Sequence, residues 1–260
     1  MHPLFSLTGQ VVFVTGAGSE HGIGFAAAKL LAELGAQVAI TATTDRIHQR
    51  AQELSEVCSN VKSYTCDLTD RPATKALIAK IESDFGKIDV LVNNAGMAMV
   101  GSPEVYDVFH QTHDDDWDNG IERNLTTCYN VTRNVLPGMV AREYGRVVNV
   151  SSVTGPLVSN QGEAAYSAAK AAMVGMSRSI ALDVAKHNIT VNNVAPGWVA
   201  TASQTPEEVV ASQYTPVQRA GTALEMASMI AFLASPGASY VTGQLMVVDG
   251  GNCLQESKGP

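Results

Sequence analysis

The chain has 260 residues, of which 45% are hydrophobic and 16% are charged, and its formal net charge is -8. This composition is typical of a globular protein and excludes a disordered or fibrous chain. The negative charge leaves no basic stripe for a phosphate backbone, so we expect a small-molecule partner and no nucleic acid.

The N-terminal segment MHPLFSLTGQ has no basic region followed by an apolar run, and no window approaches the roughly 20 apolar residues of a membrane span. We therefore expect no membrane association and a cytoplasmic location. The four cysteines, Cys58, Cys66, Cys128 and Cys253, show neither a C-x-x-C pair nor zinc-ligand spacing. Such a pattern suits packing roles in a reducing compartment.

Apolar runs of strand length alternate with longer amphipathic stretches, a pattern that predicts βαβ units and a parallel sheet. The predicted strands are residues 11–15, 38–42, 61–65, 88–92, 147–150, 190–194 and 245–248. Several are apolar throughout, as expected of strands that helices cover on both faces.

Helices are predicted between these strands. One follows Gly24 and ends at Gly35, and a longer one runs from Tyr166 to Lys186. Residues 200–222 are weakly patterned, with Pro206 and Pro216 on either side of a short helix. This region is a candidate for a flap over the substrate.

Two glycine-containing turns follow predicted strands. In VTGAGSEHGIG the first strand runs into glycines and then a helix, so backbone N–H groups and the helix N-terminus can meet a pyrophosphate. Alone, this pattern is also compatible with a simple tight turn. The second turn, LVNNAGMA, places Asn93, Asn94 and Gly96 at a carboxyl edge of the sheet, where open α/β folds bind ligands.

Tyr166 and Lys170 are four residues apart, so on a helix they share one face and one site. Together with TG…GIG, NNAG, Asn124, Ser152 and PGWVAT, in this order, they resemble the short-chain dehydrogenase/reductase family over residues 7–251. The resemblance implies a single Rossmann-like, doubly wound α/β domain over residues 1–260. Its seven-stranded parallel sheet would carry helices on both faces.

A phenol with a pKa near 10 is a poor base at neutral pH, so an ammonium group and an oxidised nicotinamide nearby would stabilise its phenolate. The resemblance implies that Tyr166 is the general acid and base, that Lys170 also holds the nicotinamide ribose, and that Ser152 hydrogen-bonds the substrate oxygen. Asn124 would support a proton-relaying water. Two alternatives are structural: Ser151 could face the site in place of Ser152, and Asn124 could simply bend a helix.

The resemblance also implies a set of cofactor contacts. These are Gly16, Ser19, His21, Gly22, Ile23, Gly24, Thr43, Arg46, Asp67, Leu68, Asn94, Ala95, Gly96, Tyr166, Lys170, Pro196, Gly197, Val199 and Thr201. Asp67 resembles the family's adenine-contacting aspartate, although Asp67 and Asp70 could each cap the next helix instead.

The end of the second strand favours NADP(H) over NAD(H). Ala42 stands where relatives that prefer NAD usually carry Asp, and Thr43, Thr44 and Arg46 offer donors for a 2′-phosphate. The counter-argument is Glu20 in the lengthened glycine turn, which could repel a phosphate.

The predicted substrate pocket consists of adaptable, mainly apolar residues, which favour a partly apolar ketone or secondary alcohol. They are Met97, Val153, Leu157, Val158, Trp198 and Tyr214. Overall length and the segment GAQVAITATTD are similar to 3-oxoacyl-(acyl-carrier-protein) reductases. Against that substrate, the chain is acidic and carries Glu143 near where such reductases present Arg. A catalytically silent NADP-binding sensor is a third alternative.

The acidic segment HQTHDDDWDNG contains two histidines and three consecutive carboxylates. We expect no metal here, because acids suit a helix N-terminus, where Thr112 or an Asp would be the cap. The stretched loop GPLVSNQGEA before Tyr166 is expected to alter the substrate pocket. The family usually forms homotetramers, and Ala171, Ala172 and Gly175 would let helices approach closely, unless they pack on the chain's own sheet.

Overall fold

The computed structural model describes residues 2–96 and 106–256. Its strands are β1 Val11–Thr15, β2 Gln37–Ala42, β3 Val61–Thr65, β4 Val90–Asn93, β5 Gly145–Val150, β6 Ile189–Pro196, β7 Val199–Ala200, β8 Gly221–Thr222 and β9 Leu245–Val248. The helices are α1 Ile23–Glu33, α2 Arg46–Leu54, α3 Arg71–Phe85, α4 Asp114–Ile121, α5 Thr127–Arg142, α6 Ala164–Val184, α7 Pro206–Ser212 and α8 Ala223–Ala234.

Seven strands form one parallel sheet in the order β3-β2-β1-β4-β5-β6-β9. The chain starts in the middle of the sheet, builds one half outward, returns to the centre and builds the other half. This doubly wound arrangement opens a crevice at the carboxyl ends of β1 and β4, where the winding reverses. The predicted Rossmann-like fold is confirmed.

Helices cover both faces of the sheet because successive strand residues point to opposite sides. Val12 and Val14 pack in one core with α1, α2 and α8, whereas Phe13 between them packs in the other core with α3 and α5. The same alternation occurs in the neighbouring central strands, so their side chains are buried on both faces. This explains why these strands are largely apolar.

Several element boundaries differ from the sequence-based expectations. β4 begins at Val90 instead of residue 88, and α1 begins at Ile23, so that Gly24 lies inside the helix. Residues 200–222 contain α7, and the two short strands β7 and β8 pair with each other beside it. Within the described residues, no helix has both the length and the apolar character needed to cross a membrane.

Candidate active site

A cavity of about 870 Å³ lies at the carboxyl edge of the sheet. Segments that follow β1, β2, β3, β4, β5 and β6 line it, together with the first part of α6 and residues from the flap region. Its size is near the upper end of the range of about 300–1,000 Å³ for ligand pockets. The cavity therefore has room for a dinucleotide and a small substrate.

The turn after β1 forms a glycine cradle at one end of this cavity. Gly16 has a φ of 68°, and a Cβ atom at this position would lie 2.8 Å from the Cα atom of Ala95. Gly22 is the N-cap residue of α1, and no side chain caps that helix. The N-terminal N–H groups of α1 are therefore available to an anion, which is how such helices bind a pyrophosphate.

Most of the predicted cofactor contacts meet at this cavity. Those that line it are Gly16, Ser19, Gly22, Ile23, Thr43, Arg46, Asp67, Leu68, Asn94, Ala95, Gly96, Tyr166, Lys170, Pro196, Gly197, Val199 and Thr201. His21 and Gly24 do not: His21 is turned to solvent, and Gly24 is buried against the side chain of Asn94. The role of Gly24 is thus close helix–strand packing.

The far end of the cavity, beyond β2, carries one guanidinium group. Arg46 lies over the glycine turn, where a Cβ atom on Gly18 would come within 2.9 Å of the Arg46 Nε atom. Thr43 also lines this end of the cavity. Thr44 does not line it, and the Thr44 hydroxyl is buried without a hydrogen-bond partner among the described residues. The carboxylate of Glu20 pairs with Arg50 at 3.3 Å, but Arg50 also pairs with Glu53, so one guanidinium group is shared between two carboxylates.

Asp67 and Asp70 have different roles. Asp70 caps α3, since its Oδ1 atom accepts the Ala73 N–H at 2.9 Å. Asp67 lines the cavity, and its Oδ1 atom accepts from the N–H and hydroxyl groups of Thr69. The neighbouring Cys66 thiol also lines the cavity, where burial and these two carboxylates raise its pKa to about 11. Cys66 is thus a neutral thiol at physiological pH.

Tyr166 and Lys170 lie one turn apart in the first half of α6. The Lys170 Nζ atom is 5.5 Å from the centre of the Tyr166 ring and donates a hydrogen bond to the Val150 carbonyl at 3.1 Å. Lys170 is only 3% exposed, so its ammonium group is held in a low-dielectric wall of the cavity. Its ammonium group therefore lies beside the Tyr166 ring in the cavity wall.

The two serines after β5 are distinguished by their hydrogen bonds. The Ser151 hydroxyl donates to the Lys170 carbonyl at 3.0 Å and fastens α6 to the end of the strand. The Ser152 hydroxyl accepts the N–H of Thr154 at 3.0 Å, which leaves its own proton for another acceptor. Both residues line the cavity, but Ser152 is the one that can donate to a ligand.

Asn124 lies in a π-helical turn, Glu122–Thr126, between α4 and α5. Its Nδ2 atom donates to the Gly120 carbonyl at 3.1 Å, and its Oδ1 atom would lie 2.8 Å from a Cβ atom on Gly96. The same hypothetical Cβ would be 3.4 Å from the Lys170 Nζ atom. The polar end of Asn124 thus meets Lys170 across Gly96. Asn124 also borders an adjoining cavity of about 50 Å³, shared with Tyr166.

Hydrogen bonds between buried asparagine side chains connect the strands and the helix that carry this site. Asn93 does not face the cavity; its Nδ2 atom donates to the Asn149 Oδ1 atom at 2.8 Å. Asn149 in turn donates to the Ser177 hydroxyl on α6 at 2.8 Å. These side chains tie β4, β5 and α6 together beneath Lys170, so a fully buried polar network fixes the helix that carries the reactive groups.

The predicted substrate pocket is found only in part. Val153, Val158, Trp198 and Tyr214 line the cavity, and Met97 lies outside the described residues. Leu157 does not line it and is 49% exposed. The reason is the tight turn between Thr154 and Val158, closed by the Gly155 N–H bond to the Val158 carbonyl, which turns Leu157 outward.

Other lining residues were not predicted. At the substrate end they are Tyr106, Thr154, Ser159, Asn160, Glu163, Ala202, Ser203, Glu208, Ala211 and Asn252. Tyr106, Asn160 and Glu163 lie in loops whose path local patterns do not specify. Asn252 belongs to the segment after β9, and its only sequence signal is the Asp249-Gly-Gly turn that brings the chain back to this edge.

The acidic segment forms the first turn of α4. Asp114, Asp115 and Asp116 occupy that turn, where carboxylates stabilise the helix dipole. The N-cap residue is His113, without a side-chain hydrogen bond, so Thr112 is not the cap; its hydroxyl donates to the Asp107 carbonyl. Among the described residues, no group of three or more His, Cys, Asp or Glu is placed to hold a metal ion.

Comparisons with known proteins agree with this geometry. A family model described as enoyl-(acyl carrier protein) reductase matches residues 16–252. The chain is 40% identical over 254 residues to nodulation protein G of Rhizobium sp. (strain N33), covering 95% of this chain and 98% of the relative. It is 38% identical over 250 residues to a 3-oxoacyl-(acyl-carrier-protein) reductase of Vibrio cholerae, covering 95% and 98%. A solved structure of a mutant short-chain dehydrogenase/reductase from Serratia marcescens superimposes with a TM-score of 0.86 at 32% identity, covering 97% of this chain and 100% of that chain.

Proposed function

Because the chain belongs to the short-chain dehydrogenase/reductase family, it is an oxidoreductase of CH–OH groups with a nicotinamide cofactor, and we propose that Tyr166 is its general acid and base. The substrate in this proposal is a partly apolar ketone or secondary alcohol. The observation that carries it is that Tyr166, Lys170 and Ser152 line one cavity at the carboxyl edge of the sheet, where Asn124 meets Lys170 across Gly96.

Each of these side chains has a separate role in the proposed reduction of a ketone. The substrate oxygen accepts hydrogen bonds from Ser152, whose hydroxyl is oriented by the Thr154 N–H, and from the Tyr166 phenol. A nicotinamide cofactor, when bound in this cavity, would supply the hydride. Tyr166 gives its proton to the oxygen, and the nearby Lys170 ammonium stabilises the resulting phenolate. Alcohol oxidation uses the same groups in the reverse order.

The cavity fits a dinucleotide. The glycine cradle and the open N-terminus of α1 would hold the pyrophosphate, and Asp67 and Leu68 would contact the adenine. We propose NADP(H) as the preferred cofactor. Arg46 and Thr43 would contact the 2′-phosphate, no carboxylate stands at Ala42, and the Glu20 carboxylate is engaged by Arg50.

Oxidation of NADPH and NADH in the presence of a panel of ketones tests this function. We expect turnover of partly apolar ketones, followed as loss of reduced-cofactor absorbance. Tight cofactor binding without turnover of any ketone would contradict the proposal and favour a non-catalytic binding protein.

A second candidate is reduction of a 3-oxoacyl group on a carrier protein, which the Vibrio cholerae relative's name suggests. The acidic surface opposes it, because carrier proteins are themselves acidic. At the end of α5, Glu143 is exposed and Arg142 is engaged with Glu82 and the Ile88 carbonyl. An assay with a 3-oxoacyl group on carrier protein and on free pantetheine separates the two: a strong preference for the carrier-bound form would favour this candidate.

We further propose a homotetramer in the cytoplasm. Gly175 on α6 is exposed, and a Cβ atom there would meet nothing within 4 Å, so the small residues of this helix do not pack on the chain's own sheet at this point. Cys58, Cys66 and Cys128 are free thiols, as suits a reducing compartment. Sedimentation analysis and cell fractionation test these two points.

A further inference from the structure

Ser151 extends from a backbone segment that the sheet holds in place. Its N–H donates to the Val194 carbonyl at 2.8 Å, and the N–H of Val153 donates to the Pro196 carbonyl at 3.0 Å, so β6 holds the chain on both sides of Ser152. Ser151 is 3% exposed and lines the cavity. Its side chain is thus presented by the end of the strand and not by a free loop.

Lys170 is attached to this strand end at two points. Its Nζ atom donates to the Val150 carbonyl at 3.1 Å, and its backbone carbonyl accepts the Ser151 hydroxyl at 3.0 Å. Two consecutive residues therefore hold the side-chain end and the backbone of the same lysine. The first bond acts on the ammonium directly, and the second acts on the helical turn from which that side chain extends.

The bond from Ser151 is not needed for α6 to form. Lys170 and Val174 both lie inside this helix, where each carbonyl accepts the N–H of the fourth residue that follows. The Lys170 carbonyl therefore keeps a helical partner when the Ser151 hydroxyl is removed. The additional bond instead fixes where this turn of α6 lies relative to the end of β5.

A second contact holds the first turn of α6 against the same segment. A Cβ atom on Gly155 would overlap the Ser167 carbonyl oxygen, so the backbone of the loop packs directly on the backbone of the helix there. The contacts at Ser167 and Lys170 together set the position of the phenol of Tyr166 relative to the hydroxyl of Ser152. Reacting groups need such precise placement, since a shift of about 1 Å lowers a rate strongly.

We propose that Ser151 is a positioning residue, whose bond to the Lys170 carbonyl holds the Lys170 ammonium beside the Tyr166 phenol. Ser151 acts through Lys170, whereas its neighbour Ser152 would bond the substrate. This inference rests on the proposed function, because it concerns the groups that would transfer the proton.

Charged groups of three other elements also surround Tyr166. They line the adjoining cavity with it and are Asp116 of α4, Arg123 of the π-helical turn and Glu163 of the loop before α6. Cys128 of α5 interacts with Lys170, but burial raises the pKa of its thiol to about 12, so it is neutral. Among these described groups, the Ser151 hydroxyl bonds only to Lys170. A change in the ionisation of Tyr166 on replacing Ser151 therefore reports on Lys170.

The test measures the ionisation of the Tyr166 phenol without turnover. The ultraviolet absorbance of tyrosinate is followed against pH in each protein and in its Tyr166→Phe counterpart, and the difference isolates this one phenol. The variants are Ser151→Ala, which removes the hydroxyl, and Ser151→Thr, which keeps it. Ser235→Ala is the matched control: Ser235 is 1% exposed, donates to the Phe232 carbonyl of α8 at 2.7 Å and does not line the cavity.

We expect the Tyr166 phenol of Ser151→Ala to ionise about half a pH unit higher than in wild type, because a displaced ammonium stabilises the phenolate less. Below the midpoint this is roughly a threefold smaller phenolate fraction. With a secondary alcohol and oxidised cofactor, kcat/KM of Ser151→Ala should be about threefold below wild type at lower pH and should converge with it at high pH. Ser151→Thr and Ser235→Ala should follow wild type.

An ionisation midpoint that is the same in Ser151→Ala and wild type would refute the inference, whatever happens to the rate. An equal shift in Ser151→Thr would also refute it, since the hydroxyl would then not be the cause, and an equal shift in Ser235→Ala would indicate a general response to lost stability. The titration needs no substrate. A protein that oxidises no alcohol and reduces no ketone would contradict the proposed function, and the tyrosinate absorbance would still decide the role of Ser151.

Discussion

The phenol of Tyr166 is the group on which the proposed chemistry depends most directly. Replacing it with Phe removes the proton donor and leaves the ring and the α6 packing in place. We expect Tyr166→Phe to lower kcat at least about a hundredfold, the usual contribution of a general acid. Cofactor affinity, measured by quenching of protein fluorescence, should change little, because the glycine cradle and the Arg46 end are untouched. Retained turnover would refute the assigned role.

Arg46 is the residue that should separate the two cofactors. Without its guanidinium group the 2′-phosphate loses a charge-assisted partner, whereas NADH loses much less. We expect Arg46→Ala to lower kcat/KM for NADPH by roughly tenfold relative to NADH, which corresponds to about 1.4 kcal/mol. Arg133→Ala, at an exposed arginine of α5 that does not line the cavity, is the matched control. An equal effect of Arg46→Ala on both cofactors would contradict the NADP preference.

For single residues, the sequence was most informative where the position of a side chain follows from a regular helix or strand. The spacing of Tyr166 and Lys170 becomes a shared face because α6 is a regular helix there. Leu157 and Thr44 were placed wrongly because the direction of a loop side chain depends on the path of the loop, as the tight turn between Thr154 and Val158 shows for Leu157. Asn252 was missed because the other residues that line the cavity are distant from it in sequence.

The contact between β3 and α3 provides an element-scale test through Asp84. Its carboxylate bonds the Lys80 ammonium, accepts the Tyr64 hydroxyl at 2.8 Å and lies 3.4 Å from the Lys62 ammonium. The Lys80 hydrogen bond above all, followed by that of Tyr64, lowers the Asp84 pKa to about 2 from its usual 3.8. A lowered folded-state pKa stabilises the fold above about pH 4, and this stabilisation is lost as the pH falls towards 2.

We therefore expect Asp84→Asn to lower the melting temperature at neutral pH by roughly 2 °C. The difference from wild type should shrink as the pH falls from about 4 to about 2, which thermal unfolding followed by circular dichroism would measure. Asp118→Asn, at an exposed carboxylate of α4, is the control and should show no such convergence. A difference that stays constant down to pH 2 would exclude this ionic contribution.

At the level of elements the sequence was a good guide to the central strands and a poorer one to element ends. The strand β1, which is buried on both faces, is an almost continuous apolar run, a pattern typical of a central strand in a parallel sheet. The start of β4 and the short strands β7 and β8 depend on pairing between distant segments. The N-cap residue of α4 is His113, whereas Thr112 or an Asp was predicted. The acidic residues of the first turn already suit the helix dipole.

For the whole molecule, the open face of α6 at Gly175 gives a test of assembly. In a single subunit this position has room for a side chain. A close helix–helix contact between two subunits would leave no such room. If the proposed tetramer forms through α6, Gly175→Leu should shift the protein from that tetramer to smaller species in sedimentation velocity, with an unchanged circular dichroism spectrum. Gly175→Ala should stabilise the subunit by about 0.5–1 kcal/mol and disturb assembly less. A Gly175→Leu protein that remains tetrameric would exclude α6 as the contact.

The π turn at Glu122–Thr126 constrains how this chain can change over generations. A π turn holds one residue more than an α turn, and this one joins α4 to α5. Helix α4 also packs on α6, where Gly120 meets Ala165. Loss of a single codon here would restore a regular helix and rotate α4 by about 100° relative to α5. Asn124 and the Gly120 contact could not then both keep their places. This segment should therefore tolerate substitutions far better than changes in length, even though nothing in its composition marks it as rigid.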